Sequence, residues 1–110
     1  MAGTLGAPMA TFRSILIAED EPSIRHVLTL LLTEKGYDVR AVSDGEEALR
    51  ELNARPYDVV ISDVRMPKMD GISLLKQALP QHPELTFIVM SAHGSPEAAL
   101  ESVGLGAFGY

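Results

Sequence analysis

Four carboxylates stand where two apolar runs end. Ser14-Ile15-Leu16-Ile17-Ala18 is followed at once by Glu19-Asp20-Glu21, and Val59-Val60-Ile61-Ser62 by Asp63. Val59, Val60 and Ile61 are β-branched and unbroken by a polar residue, the composition of a central strand covered on both faces. In an open α/β sheet, ligands bind in the crevice at the carboxyl ends of the strands. Taken alone, Asp63 reads equally as a crevice residue or as a turn and helix-capping residue, with Pro67 forbidding a continued ladder. The second acidic strand end decides between them. Two carboxylates about 4 Å apart repel by roughly 4 kcal/mol at an effective dielectric of about 20. A divalent cation removes that cost. Oxygen ligands with no His or Cys nearby favour a hard ion, and few carboxylates with open positions favour Mg2+ over Ca2+.

The elements that must position these groups follow from periodicity. Pro22 suits a first helical position, and Ile24, Val27, Leu28, Leu31 and Leu32 form one apolar stripe. Gly36 stops that helix. Asp38 to Val42 alternates polar and apolar, an edge strand with one wet face. Asp44 with Glu47 is a capping pattern for a helix that turns Ala48, Leu49 and Leu52 inward and closes at Pro56. Gly71 precedes a third helix with Ile72, Leu75 and Leu79 inward, and Pro80 and Pro83 bracket the loop after it. Leu85 to Met90 is another nearly continuous apolar strand, ending at Ser91. Ser95-Pro96-Glu97 opens an Ala-rich helix. Strands alternating with helices predict an α/β class with a parallel sheet.

Composition narrows the function classes. At 110 residues the chain accommodates one domain with a modest core, and 46 % hydrophobic with 22 % charged residues is a soluble globular profile. No cysteine is present, which removes disulfide and thiolate chemistry and suits a reducing, cytoplasmic setting. The net charge of −6 and the lack of a Lys/Arg cluster argue against direct nucleic-acid binding. No apolar run approaches the roughly 20 residues of a membrane helix. Residues 1–13 read as a flexible leader, without the pattern of a secretory signal, and residues 14–110 as one domain.

The stretches ILIAEDEPSIR, VVISDVRMPKMDG, IVMSAHG and the closing GAFGY lie in order from Ile15 to Tyr110. Together they resemble the receiver domain of two-component response regulators, most closely the receivers of NtrC-type, sigma-54-dependent activators. The resemblance implies a flavodoxin-like (CheY-like) doubly wound parallel sheet of order 2-1-3-4, with a fifth strand beyond. It implies that Asp63 accepts a phosphoryl group from a sensor histidine kinase, in a signalling domain that assists its own phosphorylation and slow dephosphorylation. Asp20 and Asp63 would ligate Mg2+ directly, Glu19 through water, and Arg65 through its backbone carbonyl. Ser91 would bind a phosphoryl oxygen, and Tyr110 would be the aromatic switch residue. Arg65 and His93 would tune hydrolysis of the acyl phosphate. The output, by the same resemblance, is transcription regulation by a domain not in this chain.

The resemblance also has an edge. The family's fifth strand, the lysine it carries and the fifth helix lie past Tyr110, so residues 14–110 read as a C-terminally incomplete receiver. The expected consequences are a bare apolar edge at Phe87–Met90, an uncovered sheet face beside the Ile24–Leu32 helix, and self-association through that edge. Two other readings compete. A pseudo-receiver would be an interaction module that is never phosphorylated. A haloacid-dehalogenase-type phosphohydrolase wants a second Asp two residues after the first, where this chain has Arg65.

Overall fold

The computed structural model describes residues 13–90. Four strands, β1 (Ser14–Ala18), β2 (Asp38–Val42), β3 (Val59–Asp63) and β4 (Thr86–Met90), form one sheet of order β2-β1-β3-β4. All pairings are parallel, with Ile15 beside Val59, Ala18 beside Ser62, and Asp63 beside Met90. The expected order is thus observed for the four strands described. Each connection carries a helix: α1 (Pro22–Glu34), α2 (Gly45–Ala54) and α3 (Gly71–Gln81).

The two-residue alternation of the strands sorts the core into two layers. Leu16, Ala18, Val60, Phe87 and Val89 point to one face and pack with Ala48 and Leu52 of α2 and Leu74, Leu75 and Ala78 of α3. Ile15, Ile17 and Val59 point to the other, where Leu28 and Leu32 of α1 meet them. Phe87, Leu16, Leu74 and Leu75 are fully buried, each worth roughly 1.5–3 kcal/mol of transfer free energy.

The α1 stripe is only partly used. Leu28 and Leu32 face the sheet, whereas Ile24, Val27 and Leu31 are 41 %, 51 % and 50 % exposed, as is Leu30 at 57 %. The helix sits mainly over β1 and β2, and that seating leaves part of its apolar stripe exposed. The helix ends as the glycine predicts. Gly36 adopts φ +97°, and the N–H groups of Gly36 and Tyr37 return to the carbonyls of Thr33 and Leu32, the paired bonds of a Schellman stop.

Three expectations for α3 need correction. Gly71 is the first residue of the helix rather than the one before it, and Asp70 caps it by accepting from the Ser73 N–H at 2.7 Å. The buried face is Gly71, Leu74, Leu75 and Ala78, while Ile72 and Leu79 are half-buried. The sequence carries two overlapping stripes, and the seating of Gly71 against β3 selects the one that contains Leu74. Pro80 lies inside the last turn, not in the loop, and the helix stops soon after it, at Gln81. The last strand begins at Thr86, since the Leu85 N–H closes a turn onto the His82 carbonyl.

Candidate functional site

β1 and β3 lie side by side, so their carboxyl ends deliver Glu19, Asp20 and Asp63 to one place. One carboxylate oxygen from each lies within 4.8 Å of the other two. Asp20 is exposed, while Glu19 and Asp63 are buried at 3 % and 7 % exposure. The third acidic residue of the run, Glu21, leaves the cluster. It is the N-cap of α1, accepting from the Ser23 N–H at 3.3 Å and the Ser23 hydroxyl at 3.0 Å.

Glu19 is held at three atoms. Its N–H donates to the Val42 carbonyl at 3.1 Å, its Oε2 accepts from the Glu21 N–H at 3.0 Å, and its carbonyl accepts from Arg25 Nη1 at 2.8 Å. Burial pushes the Glu19 carboxyl above the usual carboxylate range, against the opposing bond from Glu21, and the Asp63 and Asp20 charges push the same way. Asp63 contrasts with it. Its Oδ1 is buried with no hydrogen-bond partner. Such an orphaned acceptor is costly, and nearly every buried polar atom in a folded protein is paired.

The loop after Asp63 is folded tightly against the strand. The Val64 N–H donates to Met90, the Gly71 N–H returns to Val64 at 2.8 Å, and the buried Ser62 hydroxyl donates to the Asp63 carbonyl at 2.9 Å. A Cβ at Gly71 would collide with that carbonyl, and one at Gly45 with the backbone of Met69. Lys68 sits at φ +70°, a left-handed conformation rare for a side-chain-bearing residue, and its Nζ lies 3.8 Å from Oδ2 of Asp44. Asp44 also caps α2, accepting from the Glu47 N–H as the capping pattern predicts, while the Glu47 carboxylate accepts from the N–H of Ser43, one residue before the cap. The loop after Asp63 is therefore pinned to β3, to α3 and to the start of α2.

Among the described residues the donor set suits a hard divalent cation: three carboxylates, no nitrogen or sulfur ligand, and one buried oxygen lacking a partner. Glu19, Asp20 and Asp63 are the residues that could hold it. The Arg65 side chain is exposed. Ser91, His93 and Tyr110 lie outside the described residues. Sequence reasoning missed Arg25, Ser62 and Gly71 as parts of the site. Ser62 carried a signal, a hydroxyl inside an apolar run, and Arg25 carried none.

The family profile of the response regulator receiver domain matches residues 15–110. The DNA-binding transcriptional regulator NtrC of Klebsiella pneumoniae is 44 % identical over 94 residues, covering 86 % of this chain and 20 % of that protein. The chain spans about a fifth of the length of the curated NtrC relatives it matches. Among solved structures, the chemotaxis protein CheY4 of Vibrio cholerae superposes with a TM-score of 0.82 at 33 % identity, over 90 % of this chain and 84 % of that one. A CheY-like receiver domain protein from Methanospirillum hungatei gives 0.86 at 26 % identity, over 91 % and 80 %.

Proposed function

From the premise that this chain belongs to the response regulator receiver family, signalling domains of two-component systems, we propose that Asp63 is its phosphoacceptor. The observation that carries the reading is the buried, unpartnered Oδ1 of Asp63 beside two further carboxylates. A carboxylate oxygen with no donor committed to it keeps its lone pairs for attack. The Asp63 oxygen attacks the phosphorus of a phosphohistidine on a partner kinase. The new O–P bond forms as the P–N bond breaks, and the imidazole leaves with the electron pair.

Glu19, Asp20 and Asp63 would hold Mg2+, together with the Arg65 backbone carbonyl, and Glu19 would act through water. Bound there, the ion supplies charge neutralisation and Lewis acidity toward the phosphoryl oxygens. The chain's own residues do the positioning. Ser62 and Gly71 fix the backbone of Asp63, and the Asp44–Lys68 contact holds the loop that follows. On the family pattern, Ser91 binds a phosphoryl oxygen, Tyr110 switches, and Arg65 and His93 set the lifetime of the acyl phosphate. The acyl phosphate adds close to two negative charges, and that local event shifts a protein-interaction surface. The setting is the cytoplasm. The partners are a sensor histidine kinase and an output domain that regulates transcription.

Intact mass measured before and after incubation with Mg2+ and a small acyl-phosphate donor tests this. The expected result is a gain of one phosphoryl mass, absent without Mg2+ and absent in Asp63→Asn. A folded protein that gains no mass would instead be a pseudo-receiver.

A further inference from the structure

We propose that Arg25 is a positioning residue of the acidic site, acting through the peptide that joins Glu19 to Asp20. Its Nη1 donates to the Glu19 carbonyl at 2.8 Å, from one turn inside α1. That carbonyl belongs to the peptide plane between the two acidic residues. Rotation of the plane would swing Asp20 away from Asp63 and turn the Glu19 carboxylate off the Glu21 N–H. Of the three bonds that hold Glu19, the other two are donated by backbone N–H groups, so the guanidinium bond is the one a side-chain substitution can delete.

Arg25 has two opposed effects on a cation. Its bond organises the ligands, which tightens binding. Its charge repels the ion, which weakens binding, and no carboxylate among the described residues forms an ion pair with it. The sign of the net effect therefore separates positioning from mere charge. Arg25 is half-buried, so its charge is only partly screened, and a positioning role requires the fixed ligand geometry to outweigh that repulsion.

The inference rests on the cation-site reading above, and the test keeps the two apart. Mn2+ is titrated into the 110-residue chain and its free form followed by electron paramagnetic resonance, for wild type, Arg25→Met and Arg25→Lys. Loss of positioning weakens Mn2+ binding in Arg25→Met by roughly tenfold, the low end for outer partners of metal ligands, and Arg25→Lys recovers most of it. Equal or tighter binding by Arg25→Met would assign Arg25 a charge role only and overturn the proposal. Arg25→Gln, too short to span the same gap, repeats the comparison should the Met variant not fold. If wild type binds no Mn2+, the cation-site reading fails by itself. Hydrogen exchange of the Glu21 amide then decides the role of Arg25: faster exchange in Arg25→Met, restored in Arg25→Lys, upholds positioning, and unchanged exchange overturns it.

Discussion

Asp58 and Asp63 bracket the same strand, five residues apart, and meet opposite fates. At the amino end, Asp58 Oδ2 accepts from the N–H groups of Arg13 and Ser14 at 2.7 and 3.1 Å. Those bonds hold its carboxyl below the usual range. At the carboxyl end, Asp63 Oδ1 is buried and accepts nothing. The difference comes from the polarity of a parallel sheet. Its amino end exposes strand N–H groups that have no ladder partner, and an Asp there finds donors. Its carboxyl end exposes carbonyls, and the nearby loop donors are already committed, Val64 N–H to Met90 and Gly71 N–H to Val64. One aspartate is a staple and the other keeps an oxygen that accepts nothing.

That contrast can be broken by substitution. The largest effect expected is Asp63→Asn, which abolishes phosphoryl uptake in intact mass spectrometry while leaving the thermal midpoint no lower than wild type, since it removes a buried, unpartnered charge. Gly71→Ala comes next. Its methyl group meets the Asp63 carbonyl, and urea unfolding should show a loss of roughly 2–3 kcal/mol together with slower phosphoryl uptake.

Asp58→Asn is the mirror of Asp63→Asn. It should cost about 2 kcal/mol in urea unfolding and leave phosphoryl uptake intact. Its pH dependence has a definite sign. The folded-state pKa of Asp58 is depressed, so its stabilisation is complete above the unfolded value and is lost as pH falls through the folded one. The stability gap between wild type and Asp58→Asn should therefore be steady near neutrality and close in acid; a gap that widens in acid would contradict the staple. The smallest effect belongs to Tyr57→Phe, also at the amino end. The Tyr57 hydroxyl donates to Glu51 at 2.7 Å, and burial followed by Glu51 raises its pKa to about 12. Its loss should cost about 1 kcal/mol and leave phosphoryl uptake unchanged, as measured by urea unfolding and intact mass.

The strands were legible because Val59 to Ile61 and Ile15 to Ile17 are apolar runs too short for helices and bounded by acid. The meeting of Glu19, Asp20 and Asp63 was legible for the same reason: adjacent parallel strands put their carboxyl ends together. What the sequence concealed depends on rotation and seating. Which stripe α3 buries is settled by the approach of Gly71 to a carbonyl, and a pattern of leucines contains both answers. The exposed flank of α1 depends on how much sheet one helix can cover, which periodicity does not encode. Glu21 looked like a fourth member of the cluster, and became a cap because its N–H and side chain serve neighbours along the chain. Arg25 was invisible because its bond is to a backbone atom, and backbone acceptors carry no residue signature.

The bond from the Val64 N–H to the Met90 carbonyl, 3.1 Å long, has a further meaning. In chain order, Asp63 and the end of β4 are separated by a loop, a helix and a strand. In wiring order they are adjacent, because the residue after Asp63 is joined directly to the last residue of β4. The backbone just after Asp63 is thus tied to the end of β4 without α3 standing between them.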